Sequence, residues 1–134
     1  MSQEKVDAAC RSLEGWNNGD IEAWLEGAHP EVEWSSAVVR QMEGAEVVSR
    51  GHAAMRRFWD DWHAVWDMTI NISEARDLGD TVVVLGHMQI HGEASGVDLR
   101  RPAAWVFEYE GQLARRVRAY HDWREALEAV GVSE

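Results

Sequence analysis

Polar and apolar positions divide this chain into two halves with different periods. Between Ser2 and Asn17, the residues Val6, Ala9, Cys10, Leu13 and Trp16 recur at steps of three and four, the spacing of one helix face. Asn17-Asn18-Gly19-Asp20 stops that helix and offers a new N-cap. Ile21, Trp24 and Leu25 then share one face of a short second helix, which His29-Pro30 ends. Val32 and Trp34 alternate with Glu31 and Glu33 and predict a short strand. The stretch from Ser35 to Arg50 has no period and reads as a loop. Gly51 opens a third helix with one continuous stripe of Met55, Phe58, Trp59, Trp62, Val65 and Trp66, while Arg56, Arg57, Asp60, Asp61 and His63 face away.

From Asp67 onward the period is two. Met68 to Ile72 alternates, Leu78-Gly79-Asp80 is a turn, and Thr81 to Glu93 is a long strand. Ala94-Ser95-Gly96 is a second turn, Val97 to Tyr109 another strand, Glu110-Gly111 a tight turn, and Leu113 to His121 the last strand. Short turns between consecutive strands predict an antiparallel meander. Asp122-Trp123-Arg124-Glu125 fits a capping box and opens a short terminal helix closed by Gly131. Helices first and strands afterwards describe an α+β fold. The helices must cover one sheet face, because the Trp-rich stripe has no other partner large enough.

Composition narrows what such a fold can do. The 134 residues make one domain, and folding buries roughly two-thirds of the surface that the unfolded chain exposes. Thirteen Lys and Arg face 24 Asp and Glu, a net charge of −11. That surface repels phosphate backbones and anionic lipid, so neither nucleic acid nor membrane is an expected partner. Cys10 is the single cysteine and can form neither an internal disulfide nor a cysteine-based zinc site. The segment Met1 to Lys5 lacks a basic region followed by an apolar stretch, and the longest clean apolar run is Val82 to Leu85. Neither signal peptide nor membrane span is therefore expected, and the expected location is the cytoplasm. Eight tryptophans imply a very aromatic core or an aromatic-lined cavity.

Strand parity sorts the faces. Val82, Val84, Gly86, Met88 and Ile90 form the small or apolar set of the long strand, opposite His87, Gln89, His91 and Glu93. In the last strand Val117, Ala119 and His121 share the inward parity. Between them, Ala103, Trp105, Phe107 and Tyr109 alternate with Ala104, Val106 and Glu108, so that strand reads as buried on both sides. A homodimer is expected through Ala104, Val106 and Tyr120 on the outer face. The expected cavity is lined by Trp16, Trp34, Phe58, Trp62, Met88 and Trp105, with Arg101 near its rim. Aromatic walls with few polar groups suit a small, flat, hydrophobic ligand. The plainer reading is that these rings only fill the core.

His121 is the candidate catalytic residue, since imidazole can act as acid or base near neutral pH. The competing role is a histidine that only hydrogen-bonds backbone beside a helix cap. Asp122 reads as that cap, and Arg101 reads either as an anion contact or as a solvated strand-end residue. His87 and His91 lie two apart on the outer face with no third ligand in view, so no metal and no cofactor is expected.

Several short stretches resemble one family. They are Asn18-Gly19-Asp20, Arg50-Gly51-His52 through Arg57-Phe58-Trp59, Ser95-Gly96-Val97, Glu110-Gly111, Tyr120-His121-Asp122 and Glu125 to Gly131. Together they resemble the SnoaL-like bacterial members of the nuclear transport factor 2-like superfamily, over essentially the whole chain. The resemblance implies a cone-shaped barrel, three N-terminal helices packed on a highly curved antiparallel sheet. It leaves function open, because that superfamily includes ketosteroid isomerases, dehydratases, epoxide hydrolases, polyketide cyclases and non-catalytic binding modules. Limonene-epoxide hydrolase-like relatives carry an Asp on the last strand and an Arg and an Asp on the long strand. Ala119, Gly86 and Met88 stand at the matching positions here, so that water-activating set is absent. Two function classes remain. One is a small enzyme running proton-transfer chemistry of isomerase, cyclase or dehydratase type. The other is a non-catalytic module for small-molecule binding or dimerisation. Glu43 and Glu46 lie in the aperiodic loop and receive no placement.

Overall fold

The computed structural model describes residues 2–35, 48–92 and 98–132. Helices α1 (Ser2–Asn17) and α2 (Ile21–Glu26) lead into strand β1 (Ala28–Ser35). A short strand β2 (Val48–Arg50) precedes helix α3 (Gly51–Val65). Strands β3 (Trp66–Asp77), β4 (Thr81–Gly92), β5 (Asp98–Glu110) and β6 (Leu113–Tyr120) follow, and helix α4 (Trp123–Ala129) closes the order. The six strands form one curved, unclosed sheet in the order β2-β1-β6-β5-β4-β3.

The meander from β3 to β6 is antiparallel throughout. β1 departs from it, pairing antiparallel with β2 but parallel with β6, so that Trp34 stands beside Val117. Alternation in an isolated strand cannot disclose which neighbour it will join. β2 falls inside the stretch read as loop, because three residues are too few to show a period. The turn expected at Ala94 to Gly96 lies outside the described residues.

Helices α1, α2 and α3 cover one sheet face and form the main core with the inward residues of every long strand. Two local devices set this packing. A Cβ at Gly15 would meet the backbone nitrogen of Trp24 at 2.8 Å and the Cβ of Ala23 at 2.9 Å. The missing side chain is what lets α2 cross α1 closely and turn Trp24 inward. At the end of α1, Asn17 acts as a surrogate strand. Its amide donates to the Ile70 carbonyl and accepts from the Ile70 N–H, each at 2.7 Å. β3 is an edge strand, and this clamp occupies backbone groups that would otherwise offer themselves to another chain.

The opposite sheet face carries a second cluster. Val83, Leu85, Ala104, Val106 and Tyr120 pack there under Ala126 and Leu127 of α4. The residues expected at a subunit interface, Ala104, Val106 and Tyr120, are therefore already covered by the chain's own terminal helix. Asp122 caps α4 by accepting from the Arg124 N–H at 2.7 Å, and the Trp123 indole donates to the Gly86 carbonyl at 2.9 Å.

Candidate functional site

Each long strand turns alternate residues toward the helices, and near the middle of the sheet several of these are small. Ala103 on β5 and Ala119 on β6 leave room opposite the rings that the helices supply. The result is a small cavity of about 30 Å³. Among the described residues its walls are Trp16, Trp24, Trp34, Phe58, Trp62, Met68, Ile70, Met88, Ala103, Trp105, Ala119 and Tyr120.

The aromatic walls hold one another in place. Trp24 meets Trp16 edge-on at 5.4 Å and Trp34 at 5.3 Å. Phe58 lies 5.8 Å from Trp34 and stacks on Trp62 at 5.9 Å. Edge-to-face and offset pairs at these separations gain energy beyond the area they bury. Trp16 is also pinned through its indole N–H, which donates to the Met68 carbonyl at 3.0 Å. The indole nitrogens of Trp24, Trp34 and Trp62 are buried without a hydrogen-bond partner.

Tyr120 is the sole ionisable residue in this lining, counted among the described residues, and its side chain packs into the outer cluster. The groups whose titration the fold displaces sit elsewhere, where α1 meets β5. Burial pushes the Tyr109 phenol up to about 12, with the neighbouring Cys10 adding to the effect. The Cys10 thiol is itself raised by burial and then by Glu14 and Asp7. The Tyr109 hydroxyl donates to the Lys5 carbonyl at 3.1 Å.

Six residues expected at the cavity meet there: Trp16, Trp34, Phe58, Trp62, Met88 and Trp105. Arg101 pairs directly with Met88 across the ladder and so shares its face, but it is solvent-exposed and outside the lining. His121 follows the last residue of β6, half-buried, and is also outside the lining. His87 stays on the outer face against the Trp123 ring, 5.8 Å away. Glu43 and Glu46 lie outside the described residues. Sequence reasoning missed Trp24 as a wall, although its place on the apolar face of α2 was the available signal. It also missed Met68, Ile70, Ala103, Ala119 and Tyr120. No three His, Cys, Asp or Glu side chains gather into a metal-binding group among the described residues, and no helix there is long and apolar enough to cross a membrane.

The sequence profile of the SnoaL-like domain matches residues 9–117. No functionally curated protein matches the chain. Among solved structures, a protein of unknown function from Burkholderia pseudomallei K96243, described as NTF2-like, superposes with a TM-score of 0.79 at 18% identity, covering 96% of this chain and 98% of that one. TerC, co-crystallised with polyporic acid, gives a TM-score of 0.78 at 25% identity over 93% of this chain and 96% of its own. A protein from Xanthomonas campestris pv. campestris, provisionally described as a polyketide cyclase, gives 0.76 at 18% identity over 96% and 98%.

Proposed function

The chain belongs to the SnoaL-like domain family, and on that premise we propose that it binds a small, flat, hydrophobic molecule between the rings of its cavity. One observation carries this reading. The walls are almost wholly aromatic and aliphatic, and the ionisable lining is limited to Tyr120 among the described residues. A charged ligand would lose its hydration there without a partner. Walls made largely of flat rings suit a planar molecule better than a globular one. TerC, a quarter identical in sequence, was co-crystallised with polyporic acid, a ring compound, although an acidic one.

A second reading adds chemistry at the same cavity. His121 follows two lining residues, Ala119 and Tyr120. Ala104 pairs with Tyr120 at the end of β6, and His121 is the next residue along the chain. His121 would then act as acid or base in an isomerase-, cyclase- or dehydratase-type proton transfer, with Arg101 as a rim contact for a ligand oxygen. The protein would work in the cytoplasm as a homodimer joined through the outer sheet surface that α4 leaves open.

Titration with a neutral flat aromatic, 2-naphthol, followed by tryptophan fluorescence and by native mass spectrometry, tests the binding reading. Saturable quenching with one equivalent bound per chain is expected. Absence of binding at concentrations up to the solubility limit would overturn it.

A further inference from the structure

Five tryptophans fall into two groups by what their indole nitrogens meet. Trp16 and Trp123 donate to backbone carbonyls, at 3.0 Å and 2.9 Å. Trp24, Trp34 and Trp62 have buried indole nitrogens and no partner, and all three line the cavity. They are also neighbours through one ring: Phe58 lies 6.4 Å from Trp24, 5.8 Å from Trp34 and 5.9 Å from Trp62. Trp24 is 1% exposed and Trp34 6%, so bulk water does not serve these donors in their packed positions.

A buried donor left without an acceptor is costly. Phenylalanine would fill most of the same space without the N–H. An indole can donate but never accept, so any polar contact these three wall residues offer a ligand is a donated one. From this we infer that the ligand is a planar, uncharged molecule carrying carbonyl-type acceptor oxygens, which the indole N–H groups of Trp24, Trp34 and Trp62 select over its hydrocarbon counterpart. The inference rests on the cavity reading above and narrows it. Flat rings supply affinity by area and tolerate many shapes, whereas donors reject a molecule that leaves them unpaired.

The test compares α-tetralone with tetralin, bicyclic molecules that differ by one carbonyl, using ¹H–¹⁵N spectra of the whole chain in which indole N–H signals are resolved. α-Tetralone should bind about fivefold more tightly, as one net hydrogen bond predicts. It should also move downfield one or more of the signals assigned to Trp24, Trp34 and Trp62, and tetralin should not. Trp62→Phe and Trp34→Phe identify the signals and should reduce α-tetralone affinity while leaving tetralin affinity within about threefold. The wild-type spectra stand alone if a variant fails to fold. Equal affinity for the two molecules, or binding that leaves those three signals in place, would overturn the inference while leaving the hydrophobic pocket intact. If neither molecule binds, the pocket reading falls and the inference with it.

Discussion

Gly86 offers the sharpest structural test. It stands on the inward parity of β4, opposite Ala103 on one side and Ile72 on the other. The ladder with β3 shifts register just beyond it, between Ile72 and Glu74. A Cβ built on Gly86 would collide with the Asn71 carbonyl oxygen, and would lie 3.0 Å from the carbon of that group and 3.2 Å from the Cα of Ile72. All three atoms are backbone, so no side chain can swing aside. In Gly86→Ala, β3 must withdraw by on the order of 1 Å to restore van der Waals spacing. That strains the ladder hydrogen bonds around Asn71 and Ile72, each worth about 1 kcal/mol net. Loosened packing of the neighbouring Met88 and Ile70 adds to the loss. The expected destabilisation is about 3–4 kcal/mol, a large part of the 5–15 kcal/mol typical of a domain. Urea unfolding monitored by tryptophan fluorescence measures it as a lowered midpoint at unchanged slope. At an unconstrained position the same change would stabilise by about 0.4–1 kcal/mol through the unfolded chain. A neutral or stabilising result would therefore refute the close approach of β3 and β4.

Three further outcomes are expected. The Tyr109 phenol ionises near 10 when unfolded and at about 12 when folded. Its contribution is fully present below pH 10 and lost as the pH rises through 12, a change of about 2 kcal/mol. Tyr109→Phe should flatten that alkaline decline in denaturation curves, and an unchanged slope would count against it. His121→Gln should lower turnover by about 10²–10⁴-fold if His121 is the acid or base. A change in ligand affinity limited to about 1 kcal/mol would instead favour binding alone. Light scattering at micromolar protein should report a mass near 30 kDa, twice the 15.2 kDa of one chain. A monomer would remove the homodimer from the proposal.

Where one side of an element faces the core and the other faces water, the chain's own pattern disclosed it. The stripe through Met55, Phe58, Trp59 and Trp62 follows from this contrast, whereas the middle of β4 and of β5 is buried on both faces and shows it only weakly. The stripe ran one residue too far. Trp66 already has extended dihedrals, φ −125° and ψ 147°, yet its ring lies 6.4 Å from Trp62, so a spacing of four is satisfied across the junction. His29-Pro30 read as a helix end, whereas β1 begins at Ala28. Proline lacks the N–H for a regular ladder, and the pairing with β6 is indeed interrupted between Ala28 and Glu33. The cavity was legible as a set of rings, six of which meet. Trp24 escaped although it stood on the apolar face of α2, because a helical pattern marks a residue as buried without saying whether it borders unfilled space. The outer face escaped for a similar reason. Parity showed that Ala104 and Val106 needed cover, but not that α4 would supply it.

The parallel pairing of β1 with β6 also governs the order in which this molecule can come into being. Synthesis takes on the order of ten seconds at ordinary ribosome speeds, and the strand bearing Trp34 emerges early while its neighbour β6 emerges near the end. Until then Trp34 lacks its neighbour in the sheet, and the aromatic wall is incomplete. A nascent or truncated chain therefore carries an unusually sticky aromatic surface, and the domain should fold with the slowness of structures dominated by distant contacts. On the proposed reading, a flat apolar ligand would meet a complete wall only once β6 is seated, and by mass action it would draw slow folders toward that state.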